Sequence, residues 1–204
     1  MDKNIIDIFW KKRSAEGKGR WTDENLLGYE LSWISEHAPP NAQILDLGSG
    51  PGELSCSLLP TNGKLTLVDK YPDFLKLAPI APNIRKLCCD VLEFDDTERY
   101  DLILIFGVVT HLTEKEETQT YQKAVKLLSR NGTLIVKNQV SSGEEKTVSG
   151  YSPSLKQDYC GRYPGLEQQG QRLNRVFSDV KIIHYPEQFN PWPDTRHVAF
   201  VCKN

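Results

Sequence analysis

The residues best placed by type and spacing to do chemistry lie in the stretch QILDLGSGPGEL, residues 43–54, where an apolar run ends in Asp46-Leu47 and passes into Gly48, Ser49, Gly50 and Gly52. An apolar run of this length reads as a buried parallel strand. Glycines spaced two apart read as a tight turn that brings backbone close to a ligand before a helix begins. The dinucleotide fingerprint needs G-x-G-x-x-G and the phosphate loop needs a closing Gly-Lys-Ser/Thr. Residue 53 is Glu, so neither pattern fits.

Two further acids follow apolar runs. Asp69 closes LTLVD, with Lys70 next, and Asp90-Val91 follows the run from Ile84 to Cys89. A carboxylate at a strand end can accept both hydroxyls of a ribose; it can equally cap the following helix. The next apolar run, DLILIF from Asp101 to Phe106, leads into Gly107 and then His111. Imidazole titrates near neutrality, so His111 could take a proton from a substrate hydroxyl, or it could simply order its loop.

With the G-x-G-x-G turn preceded by an acid, and with acids after the next two strands in order, the chain resembles the class I S-adenosylmethionine-dependent methyltransferases from about Ile44 onward. The resemblance implies S-adenosylmethionine as cofactor and S-adenosylhomocysteine as product. It also implies that Asp46, Gly48, Ser49, Gly50, Gly52, Asp69, Lys70, Asp90, Val91, Phe106 and Gly107 hold the cofactor, with Asp69 on the ribose and Asp90-Val91 at the adenine. Similar enzymes close an N-terminal segment over the cofactor, where Arg20, beside Trp21, could pair with a methionine carboxylate through a fork of hydrogen bonds. Sulfonium is a good leaving group, and positioning alone can supply about 7–11 kcal/mol. No catalytic dyad is therefore required.

The elements that must position these residues alternate. Thr22 or Asp23 can cap a helix bearing Leu27, Leu31 and Ile34, stopped by Pro39-Pro40. Strands follow at 43–47, 64–68, 84–89, 101–106 and 133–136, with a short helix opening at Tyr71-Pro72 and a longer one over 115–128 ended by Asn131-Gly132. Alternation of this kind predicts an α/β fold, a three-layer Rossmann-like arrangement with a mostly parallel seven-stranded sheet and an antiparallel C-terminal strand. Runs at 180–185 and 197–202 supply the terminal pair. Residues 141–170 lose their periodicity among glycines and prolines and read as a long functional loop.

Aromatic and arginine side chains around a cofactor mouth suit a sugar ring or an anion, which nominates Tyr151, Arg162, Arg196 and His197 for the acceptor. The PWPD segment and the KNQV segment are similar to those of methyltransferases encoded with bacterial surface-polysaccharide machinery. This makes a hydroxyl of a sugar, glycan or sugar phosphate the expected acceptor. An RNA or protein methyltransferase, and a non-catalytic cofactor-binding protein of the same fold, are the alternatives.

Composition bounds the partners. The 204 residues suit a single domain, with an arm and helix over 1–40, a cofactor core over 41–138 and a substrate loop with C-terminal strands over 139–204. The 25 basic residues against 27 acidic ones argue against a broad electrostatic grip on nucleic acid. Five cysteines without a C-x-x-C pair signal neither a disulfide framework nor a metal site. With no apolar run long enough for a bilayer, no membrane insertion and a cytoplasmic location are expected. The sequence assigns no oligomeric state.

Overall fold

The computed structural model describes residues 1–19, 24–60 and 62–204. Thr22, Asp23, Arg20 and Trp21 lie outside the described residues, and so does the expected cap of the second helix. That helix, α2, runs Glu24–Ile34, after an α1 over Lys3–Ala15.

The sequence pattern does not announce α1. Asp2 caps it, its carboxylate accepting from the backbone N–H groups of Asn4 at 3.0 Å and Ile5 at 3.2 Å. Ile6 and Phe9 form its buried stripe.

The central sheet is built from β1 (Gln43–Leu47), β2 (Lys64–Asp69), β3 (Ile84–Cys88), β4 (Tyr100–Phe106), β5 (Leu128–Ser141) and a terminal pair, β8 (Asp179–His184) and β9 (Thr195–Lys203). Its order is β3-β2-β1-β4-β5-β9-β8. The first five strands are parallel, and β9 runs antiparallel to both β5 and β8. The fold is the expected α/β one.

Period-two alternation explains the two covered faces. Ile44, Leu102, Leu104 and Ile135 pack with Leu26 and Ile34 of α2 and with Leu54 and Leu58 of α3 (Glu53–Leu58). Their neighbours Leu45, Ile103, Ile105, Leu134 and Val136 face the other way, against Tyr121 and Ala124 of α5 (Glu114–Leu127). A strand buried on both faces has to be apolar throughout, which is why DLILIF is so uninterrupted.

Two expectations are corrected. Asn131-Gly132 does not end α5, whose last residue is Leu127. The chain turns extended at Leu128 and is already pairing with Tyr100 there. Gly132 sits where an added Cβ would lie 2.7 Å from the Tyr100 carbonyl oxygen, so the glycine serves a close strand approach.

The region 141–170 is not an irregular loop either. It forms a hairpin of β6 (Lys146–Ser152) and β7 (Gln157–Tyr163) and then opens α6 (Leu166–Asn174). Most of β6 is exposed, so no hydrophobic alternation marks it. Instead β7 carries the hairpin, burying Cys160 and Arg162.

Candidate functional site

Parallel strands open a crevice where the chain order reverses, beyond their carboxyl ends. Here β1 is followed by β2 and β3 on one side, with β4 and β5 on the other, so the crevice lies between the ends of β1 and β4. A cavity of about 370 Å³ occupies this position, within the size range of small-molecule sites.

Its floor is the glycine turn. The N–H groups of Gly48 and Ser49 donate to the Val68 carbonyl at 2.8 and 3.0 Å, and that of Gly50 donates to Asp69 Oδ2 at 2.8 Å. Gly48 has φ +78°, and a Cβ there would run into Val108. Gly50 has φ +54° and nothing within 4 Å of a would-be Cβ, so its bare backbone faces open space.

Asp69 does not cap the next helix. That helix, α4 (Pro72–Leu77), receives no side-chain cap at Tyr71. Instead Asp69 Oδ1 accepts from the Tyr71 N–H at 2.8 Å while Oδ2 accepts from Gly50. Each carboxylate oxygen has one backbone partner and a lone pair left for a ligand hydroxyl. Burial raises the Asp69 pKa above the usual range, and the two N–H donors offset part of that rise.

The structure brings Asp46, Gly48, Ser49, Gly50, Asp69, Lys70, Asp90, Val91, Phe106, Gly107 and His111 to this one cavity. Gly52 stands just behind the wall as the left-handed residue that starts α3. Asp90 closes a turn through its Oδ1, which accepts from the Leu92 N–H at 2.9 Å. Its Oδ2 lies 3.7 Å from Lys70 Nζ.

His111 ends a single 3₁₀ turn, Val109–His111, after β4. Its ring stands perpendicular to Trp10 at 5.3 Å between centroids and to Tyr159 at 6.0 Å. Burial drives its pKa down to about 4, partly offset by the Cys160 backbone. Nδ1 is buried without a well-formed hydrogen bond. The imidazole is therefore neutral at physiological pH and a weak base.

The acceptor nominees fall elsewhere. Tyr151 is 67% exposed on β6 and lines no part of the cavity. Arg162 is buried and ion-paired with Glu117 and Glu145, and its Nε–H donates to the Leu112 carbonyl at 2.7 Å. Arg196 Nη1 is spent on the carbonyls of Trp192, Pro193 and Thr195, so it braces the turn before β9. His197, on β9, is buried beside Tyr185 and does not line the cavity. None of these four side chains lines the cavity.

The resemblance implies an N-terminal segment over the cofactor, but the helix α1 and its lining residues are not among the expected features. Lys3, Ile6, Asp7 and Trp10, all from α1, form the wall opposite the glycine turn. Lys3 Nζ meets Glu116 Oε2 at 2.5 Å and the His111 carbonyl at 3.1 Å. At the other end, Asp7 Oδ1 accepts from Tyr71 Oη at 3.2 Å and lies 3.5 Å from Lys70 Nζ. The usable signal was Asp2 followed by apolar residues at 5, 6, 9 and 10.

Residues 45–134 match the family described as "Methyltransferase domain". Over 109 residues the chain is 31% identical to the N-terminal Xaa-Pro-Lys N-methyltransferase 1-A of Xenopus laevis, covering 50% of this chain and 49% of that one. The chain thus spans about half the length of the curated relatives it matches.

Among solved structures, the Burkholderia thailandensis 1,6-didemethyltoxoflavin-N1-methyltransferase, bound to 1,6-didemethyltoxoflavin and S-adenosylhomocysteine, aligns with TM-score 0.76 at 20% identity. That alignment covers 98% of this chain and 88% of that one. The N-terminal domain of EvdMO1, solved in the presence of S-adenosylhomocysteine and D-fucose, aligns with TM-score 0.70 at 14% identity, covering 100% and 97%. At these identities the solved structures establish the shared fold. Among the described residues, no helix is long and apolar enough to cross a membrane.

Proposed function

We propose that this chain, whose residues 45–134 match a methyltransferase-domain family and whose sheet has seven strands, transfers the methyl group of S-adenosylmethionine to a small acceptor. The single observation that carries the reading is the Gly50–Asp69 contact. It welds the bare glycine turn to a carboxylate with lone pairs to spare, on the wall of the one cavity that Asp90 and Phe106-Gly107 also line.

The residues fit the cofactor. Asp69 would take the ribose hydroxyls, Asp90 and Val91 the adenine, and the turn at Gly48–Gly50 the amino-acid part, where a side chain at residue 50 would occupy the ligand's space. When bound, S-adenosylmethionine supplies a methyl group on a cationic sulfur. The nucleoside would lie at the β2 and β3 ends, which would put the methyl end and the acceptor on the β4 side, by Val108, His111 and Trp10. There Lys3 and Glu116 clasp α1 over the site and restrict water.

For the acceptor skeleton, a sugar or glycan remains the reading we favour, and the fucose in the EvdMO1 structure supports it. Phosphate does not suit this cavity. Among the described residues its wall carries Asp7, Asp46, Glu53, Asp69, Asp90 and Glu116 against Lys3 and Lys70. The Xenopus relative's name supports a second reading, a protein α-amine as acceptor.

Calorimetry with S-adenosylhomocysteine, followed by labelled-methyl transfer across sugars, glycans and peptides, tests the proposal. Binding in the micromolar range and a labelled product are expected. A protein that binds no S-adenosylhomocysteine is not this enzyme.

A further inference from the structure

From the composition of the β4 end of the cavity, we infer that the atom methylated is a nitrogen, carried by an uncharged amine or ring nitrogen that packs against Trp10 beside His111. The inference rests on the methyltransferase reading above and adds the nucleophile to it.

The argument begins with where charge goes. An acceptor nitrogen's lone pair forms the N–C bond as the C–S bond breaks, the sulfur leaving as a neutral thioether. The positive charge passes to nitrogen, and the ammonium then releases its proton to water or to a neighbouring acceptor. A hydroxyl oxygen cannot follow this order cheaply, because its product is an oxonium unless a base removes the proton during transfer. An N-methyltransferase thus needs a site that tolerates a cation; an O-methyltransferase needs a competent base.

This site offers the former. Trp10 lines the cavity with its ring perpendicular to that of His111, and Phe74, also in the wall, lies 6.2 Å from Trp10 between centroids. Aromatic rings attract a cation forming beside them. Among the described residues six carboxylates against two lysines in the wall add to that attraction, and both lysines are engaged, Lys3 by Glu116 and Lys70 by Asp7 and Asp90.

At the transfer end the candidate bases are poorly placed for the latter: Glu116 is engaged by Lys3 and Thr113, and His111 is packed in. His111 is the imidazole nearest the transfer end, and it is wedged between Trp10 and Tyr159 with Nδ1 buried and without a well-formed hydrogen bond. An imidazole held this way can accept a hydrogen bond from a bound acceptor but is too weak a base to carry off a hydroxyl proton during transfer. Its depressed pKa agrees with that geometry.

The test uses the full chain, methyl-labelled S-adenosylmethionine and pairs of acceptors that differ only in nucleophile. Suitable pairs are an amino sugar and its parent hexose, tryptamine and tryptophol, and a peptide with an N-terminal amine and its counterpart with an N-terminal α-hydroxy acid. Tandem mass spectrometry locates the methyl group, and calorimetry on the same preparation follows S-adenosylhomocysteine binding. The nitrogen member of each productive pair should react at least tenfold faster and carry the label on nitrogen.

Trp10→Ala should lower that rate at least tenfold, with Trp10→Phe recovering most of it. If Trp10→Ala disturbs α1, comparing Trp10→Phe with Trp10→Leu replaces it, since both keep apolar bulk and only one keeps a ring. Label on oxygen, equal rates within pairs, or no transfer to any nitrogen member while S-adenosylhomocysteine binds overturns the nitrogen assignment and spares the methyltransferase reading. Absence of S-adenosylhomocysteine binding takes both down.

Discussion

Arg162 donates its Nε–H to the Leu112 carbonyl at 2.7 Å, joining the β6–β7 hairpin to the residue that follows His111 in the cavity wall. The same guanidinium is paired with fully buried Glu117 on α5 and with Glu145 at 2.7 Å. Its surroundings make it a strut. Replacing it with Met would take from Glu117 its shortest ion pair and leave Arg172 at 3.2 Å and the Tyr121 hydroxyl as partners, so the cost should sit toward the lower end of the range of about 3–5 kcal/mol for breaking a buried pair. Urea unfolding of Arg162→Met should show a loss of that size, whereas Glu145→Gln, at the more exposed end, should cost less than about 1 kcal/mol. Equal losses for the two variants would remove the strut from the account.

Asp69 carries the second prediction. Asp69→Ala should weaken S-adenosylhomocysteine binding by about 1–3 kcal/mol, the range for losing a charged hydrogen-bond partner. Because burial raises the folded-state pKa of this carboxyl, the unliganded protein is stabilised by its protonated form, and that contribution fades as pH rises through the raised value. Binding runs the other way, since ribose hydroxyls donate to the ionised form. Calorimetry across acidic pH should therefore show affinity falling at a higher pH than an ordinary aspartate would dictate. An affinity that is flat with pH and unchanged in Asp69→Ala would show that the ribose is held elsewhere.

The cavity's floor could be read in the sequence because each part is local. An apolar run, an acid and glycines at fixed spacing specify β1 and its turn, and Asp69 and Asp90 stand at the next two strand ends. The α1 wall left a fainter signal, since α1 keeps only Ile6 and Phe9 as buried apolar residues while leaving Ile8 60% exposed among Lys11, Lys12 and Arg13. Arg162 misled for a related reason. Its partner Glu117 lies 45 residues away on another element, and no spacing rule connects the two. Arginine on a glycine-rich stretch looks like a ligand group until the hairpin folds it inward.

His111 supplies an acid-sensitivity prediction. Its pKa falls from 6.5 in an unfolded chain to about 4 in the fold, so the unfolded state binds the proton more tightly. Stability from this residue is intact above about pH 6.5 and is lost as pH falls toward 4, to a total of about 3 kcal/mol at most. His111→Phe, which keeps the ring packing with Trp10 and Tyr159, should flatten the melting temperature between pH 6.5 and 4. An imidazole resonance titrating near 6.5 in the folded protein would contradict this.

The last prediction concerns how α1 stays shut. Asp7 accepts from Tyr71 Oη at 3.2 Å and pairs with Lys70 at 3.5 Å, and these two residues directly follow Asp69. The clasp that holds α1 is thus continuous in sequence with the group assigned to the ribose. Tyr71→Phe removes one hydrogen bond at this seam, worth about 0.5–1.5 kcal/mol. If α1 must lift for the nucleoside to leave, that loss should appear as release of S-adenosylhomocysteine about two- to tenfold faster in stopped-flow displacement. Asp7→Asn should act in the same direction, because the amide forfeits the charge that Lys70 meets. Unchanged release rates in both variants would mean that α1 is not the gate, and that product leaves by a path past β4.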